Sequence, residues 1–83
     1  MTEERVFELM ELAIEALQEK LPQNMYIDDI AWGVDCFRLP IWCDNRMDSY
    51  IVRTFSFYYD EDDTRTDKQQ VLDEMQDFID MYF

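Results

Sequence analysis

The chain is expected to fold as a small α+β domain in the order helix, three antiparallel strands, helix, with both helices on one face of the sheet. Three observations carry that expectation. Apolar residues recur at helical spacing near both ends of the chain. Ser49 to Tyr59 is dense in β-branched and aromatic residues, the types that suit a pleated, half-buried surface. Between the first helix and that stretch lie short alternating segments punctuated by Gly33, Pro40 and the polar run from Asp44 to Asp48.

The first helix is expected from Thr2, a good N-cap, to about Lys20. Glu3 and Glu4 suit its positive end, and Pro22 stops it at or before Leu21. Val6, Met10, Ala13 and Leu17 form its core stripe, flanked by Leu9, Ile14 and Ala16. Met25 to Trp32 reads as a strand interrupted by Asp28-Asp29, and Gly33, the only glycine, marks a turn or bulge after it. Cys36 to Cys43 is the second strand, with Phe37, Leu39, Ile41 and Cys43 on one face and Arg38, Pro40 and Trp42 on the other. Proline cannot donate to a ladder, so an edge position is expected at Pro40. Asp44 to Asp48 is a turn, and the Ser49–Tyr59 strand then pairs back. In it Ile51, Phe55, Phe57 and Tyr59 are expected to face the helices. Arg53 is the misfit in that row, and is expected at a sheet margin with its head in water. Tyr50, Val52, Thr54, Ser56 and Tyr58 line the opposite face. Thr66 and Gln69 match a capping box, and the last helix runs to about Tyr82 with Val71, Leu72, Met75, Phe78, Ile79 and Tyr82 inward.

With 83 residues, the chain makes one domain, 1–83, with a thin core. Its 48% hydrophobic content sets it apart from disordered acidic chains. Its net charge of −13 comes from twenty acids against seven bases, with no histidine. Direct binding to DNA, RNA or an anionic membrane is disfavoured, since no basic patch exists to release counterions. A basic partner protein is favoured. No apolar run approaches the roughly 18 residues of a membrane span, and the first apolar run is broken by Glu8, Glu11 and Glu15 as no signal peptide is. Cys36 and Cys43 fall on opposite faces of one strand and cannot bridge within it, which fits a reducing, cytoplasmic setting.

Catalysis is not expected. Without histidine neither a Ser–His nor a Cys–His pair is available, and one glycine excludes a glycine-rich phosphate loop. No cofactor is implied. The acidic run at 60–67 lacks the central glycine of an EF-hand loop, so no metal site is expected there.

The acids themselves are patterned. Glu4, Glu8, Glu11, Glu15 and Glu19 fall within an arc of about 80° on the first helix and span about 22 Å. Like charges at i, i+4 destabilise a helix, and only Arg5 and Lys20 intersperse them. Asp73, Asp77 and Asp80 form a second row, with Glu74 beside it and Lys68 the one helix cation. Between the helices lie Asp60, Glu61, Asp62 and Asp63. The residues expected to meet a partner are Glu8, Glu11, Glu15, Asp60, Glu61, Asp62 and Asp63. Tyr58 is an aromatic anchor beside them, with Tyr26, Trp42 and Tyr50 as further anchors if a sheet face is open.

In size, charge, absence of catalytic residues and compact α/β plan, the chain resembles the small acidic phage-encoded inhibitors, the anti-CRISPR and DNA-mimic proteins. The resemblance implies a non-enzymatic inhibitor in the host cytoplasm. It would bind a cationic nucleic-acid-binding protein, a CRISPR-Cas effector or other nuclease, and block DNA or RNA by charge mimicry. Other members of that class block subunits or force dimers. Three further explanations of the charge stand beside it: an immunity-type protein neutralising a basic nuclease toxin, an acidic scaffold or dimerising subunit, and acidity for solubility or high salt.

Overall fold

The computed structural model describes residues 1–83. Helix α1 (Glu3–Gln18) is capped by Thr2, whose Oγ1 accepts from the Arg5 N–H at 3.2 Å. Four strands follow: β1 (Met25–Ile27), β2 (Ala31–Trp32), β3 (Cys36–Asn45) and β4 (Asp48–Tyr58). Helix α2 (Asp67–Tyr82) closes the chain. Its cap is Thr66, which accepts from the Gln69 N–H at 3.1 Å; the Gln69 side chain turns away to Asp73 instead of completing the box.

The α+β class and both helices on one face agree with expectation, but the sheet has four antiparallel strands where three were expected. The expected Met25–Trp32 strand is broken into β1 and β2, which lie end to end along one edge of β3. The break falls at Asp28–Ile30, where Asp29 adopts a positive φ of 60°. Pro40 explains its place. β3 is the central strand, not an edge, since β4 pairs its other side. Pro40 turns its carbonyl toward the β1–β2 gap, where the Asp28 N–H meets it at 3.3 Å. In a strand the nitrogen points to the same side as the carbonyl, so the missing donor faces the gap and costs no ladder bond.

A second correction lies in β4. Arg53 pairs with Ile41, but Trp42 pairs with Ile51, so Val52 is an extra residue that bulges. The bulge reverses the alternation below it. Ile51, expected toward the helices, shares the open face with Trp42 and is 48% exposed; Tyr50, expected on the open face, pairs with Cys43 on the helix side. Arg53 lies at the margin as expected, exposed, its guanidinium 3.8 Å over the Tyr82 ring.

The core lies between sheet and helices. Phe37, Leu39, Ile41, Phe55 and Phe57 meet Val6, Leu9, Ala13 and Leu17 of α1 and Val71, Met75 and Ile79 of α2. Leu72, Phe78 and Tyr82, expected in the core, are only partly covered. Phe7 on Trp32, at 5.2 Å between ring centroids, sets α1 over β2; Phe78 on Phe55, at 5.4 Å, sets α2 along β4. Arg5 at the start of α1 forms two hydrogen bonds, of 2.8 and 2.7 Å, to Asp67 at the start of α2. The helices therefore set out from the same end of the sheet, the end where the acidic loop lies.

Candidate functional site

The charge is partitioned by layer. Fifteen of the twenty acids, against four of the seven bases, lie in residues 1–20 and 60–83, which build the helices and the loop between them. The open sheet face is nearly free of charge. Its row is Tyr26, Ala31, Arg38, Pro40, Trp42, Ile51, Thr54, Ser56 and Tyr58, with Asp44 at the far end.

On α1 the buried residues Val6, Leu9, Met10, Ala13 and Leu17 fix the rotation of the helix, and the glutamate row therefore points straight out. Glu8 is not free: Arg5 Nη1 donates to it at 2.8 Å while Nε and Nη2 of the same guanidinium hold Asp67. These carboxylates push the Arg5 guanidinium above its ordinary range, the Asp67 hydrogen bonds first among the causes. Glu11 and Glu15 are exposed, with no ion pair.

The loop is built, not slack. Gln70, 1% exposed, accepts from the Asp60 N–H at 3.1 Å and donates to the carbonyls of Asp60 and Arg65 at 3.1 and 3.2 Å. Asp60 Oδ1 accepts from the Asp62 N–H at 3.0 Å. Arg65 grips Asp63 and reaches Asp73 at 2.9 Å. Its side-chain hydrogen bonds hold the Asp63 carboxyl down at about 2 and lower that of Asp73. So Asp63 is a structural ion-pair member, while Asp60, Glu61 and Asp62 are exposed. The expected second row on α2 is also divided: Asp73 is bound to Arg65, and Asp77 and Glu74 line a groove beside β4.

Of the residues singled out from sequence, Glu11, Glu15, Asp60, Glu61 and Asp62 lie exposed in the helix layer. Glu8 and Asp63 lie there in ion pairs. Tyr58, 65% exposed, sits across the sheet on the open face, so the fold does not bring it into the acidic row. Tyr26 and Trp42 share that face and are cross-strand partners; Tyr50 does not. Gln70 and Arg65 went unnoticed in the sequence, because neither breaks nor makes a hydrophobic pattern. The best cue was Arg65 itself, the one base in the run from Asp60 to Asp67.

No three acids or thiols converge as metal ligands, and both cysteines are free. No helix is long and apolar enough to cross a membrane. Comparison of the chain with protein-family models, curated proteins and solved structures finds no match.

Proposed function

We propose that the chain is a non-enzymatic acidic inhibitor. It binds a cationic nucleic-acid-binding protein, a nuclease or CRISPR-Cas effector, and presents carboxylates where that protein takes phosphates. The observation that supports this reading is the concentration of acids in the helix layer. The outward row on α1 and the exposed loop carboxylates lie in one layer, with the loop at the end where both helices begin. Successive glutamates are about 4.5–6 Å apart along the axis of α1, against about 3.4 Å per phosphate on a DNA strand. Arg5 ties the start of α1 to the start of α2 and Arg65 ties the loop to α2, so the backbone segments that carry these carboxylates are held in place.

The test is competition. A basic nuclease recovered with the chain is purified, and displacement of its labelled DNA or RNA is measured against salt. The parent is expected to displace nucleic acid, less effectively as salt rises. Glu11→Lys with Glu15→Lys, or Glu61→Lys with Asp62→Lys, is expected to weaken displacement while leaving the circular dichroism spectrum unchanged. Asp63 is left intact in these variants, because reversing it breaks the loop. Variants that displace as well as the parent defeat the reading.

A further inference from the structure

β3 is paired on both sides, by β1 and β2 on one and β4 on the other, which leaves the outer edge of β4 without a partner. The direction of its backbone groups follows from one bond: the Tyr59 N–H donates to the Asp35 carbonyl at 2.8 Å, toward β3. Alternation then turns the N–H and C=O groups of Thr54, Ser56 and Tyr58 outward. Natural sheets blunt such edges with proline, charge, bulges or a covering segment. From Thr54 to Tyr58 β4 has none of these; its bulge lies upstream at Val52.

Along this edge runs a shallow groove of about 570 Å³, walled on the other side by Glu74, Asp77, Phe78 and Tyr82 of α2. Glu74, Phe78 and Tyr82 recur every four residues, about 6 Å along the helix axis. Same-face residues of an extended strand recur about every 6.6–6.8 Å. An added strand therefore sets successive helix-side residues against a carboxylate, a phenyl ring and a phenol ring. Neither Glu74 nor Asp77 has an ion-pair partner, and Arg53, the one cation on the wall, is stacked on Tyr82. Burial raises the Glu74 carboxyl above its ordinary range, and the charge of Arg65, which makes no ion pair with it, offsets this only in part.

We propose that the free edge of β4 takes an extended, basic segment of a partner protein as an added strand, its Lys or Arg meeting Glu74 and Asp77 and its apolar residues meeting Phe78 and Tyr82. Main-chain hydrogen bonds supply the affinity and the alternating pockets supply the choice of sequence. Charge selects this occupant over a second copy of the chain. Two copies carry −13 each, and edge-to-edge pairing brings the acids of both grooves toward one seam. The surface is separate from the outward rows of the helix layer, and the proposal stands whether or not the partner binds nucleic acid.

The probe is the peptide acetyl-Thr-Lys-Thr-Val-Thr-Val-Thr-amide, with its reversed sequence so that both strand directions are sampled. Amide hydrogen exchange of the labelled chain is read by NMR. In the free chain the amides of Thr54, Ser56 and Tyr58 are expected to exchange quickly and those of Phe55 and Phe57 slowly; the peptide is expected to protect the first three. Glu74→Lys with Asp77→Lys is expected to weaken binding about tenfold or more. Peptides N-methylated on alternate amides separate edge pairing from charge attraction: one methylation pattern abolishes the protection and the other leaves it. Saturable binding without protection of Thr54, Ser56 and Tyr58 overturns the proposal, and so does absence of saturable binding. Protection of those amides in the free chain together with a dimer by light scattering overturns the choice of occupant.

Discussion

Arg65 holds two carboxylates at once, Asp63 and Asp73, and so ties the acidic loop to α2. The consequence is readable in a titration. Asp63 is held at about 2, below the ordinary Asp value of about 3.9. Its charge therefore favours the folded chain above the ordinary value, and that contribution fades as pH falls through about 2. Replacing Arg65→Gln is expected to move the Asp63 midpoint up toward about 3.9, and that of Asp73 upward as well, in a carboxyl-carbon NMR titration. A midpoint that stays put refutes the Arg65 assignment. Gln70 works on the same loop from below. Its side chain saturates the backbone of Asp60 and Arg65 in a place water does not reach, and this is what keeps four adjacent acids in one shape.

Among the strands, β4 decides which residues the open face displays. Under simple alternation Ile51 and Phe55 are equivalent, both facing the helices. The bulge at Val52 separates them, leaving Phe55 3% exposed and Ile51 48%. Phe55→Ala is expected to cost about 3–5 kcal/mol, a large-to-small change in the core, whereas Ile51→Glu is expected to stay within about 0.5 kcal/mol. Urea denaturation of both variants checks this; a large loss at Ile51 restores the unbulged strand. The helices were readable to within two residues, since Thr2, Thr66 and the apolar periods are local signals. The bulge was not, and of the β1–β2 break only the interruption at Asp28-Asp29 was, not its division into two strands. Both depend on pairing across the sheet: Val52 is extra only against Ile41 and Trp42, and the gap is harmless only because Pro40 faces it.

For the whole molecule, the layered charge sets a tension between burial and self-repulsion. Glu11 and Glu15 face solvent side by side, with no cation between. Raising NaCl from about 0.01 M to about 1 M shortens the screening length from about 30 Å to about 3 Å and is expected to raise the urea midpoint. Glu15→Gln relieves two i, i+4 repulsions, with Glu11 and Glu19. It is expected to add roughly 0.5 kcal/mol at low salt and to flatten the salt dependence. A midpoint insensitive to salt in the parent means that the acids do not act as one field.

Composition and local spacing were sufficient for the α+β class, the helix ends, the Phe37–Cys43 core row and the acidic row on α1, because each is a property of neighbours along the chain. The candidate site was legible only as an inventory of acids. Which of them are free, Glu11 and Glu15 rather than Glu8, or Glu61 and Asp62 rather than Asp63, turns on where Arg5 and Arg65 are held: each pairs with a near neighbour, Glu8 or Asp63, while also reaching Asp67 or Asp73 on α2. The placement of Tyr58 across the sheet from those acids, and the unpaired edge it shares with Thr54 and Ser56, follow from strand order. Strand order is a long-range choice between surfaces, and residue spacing does not encode it.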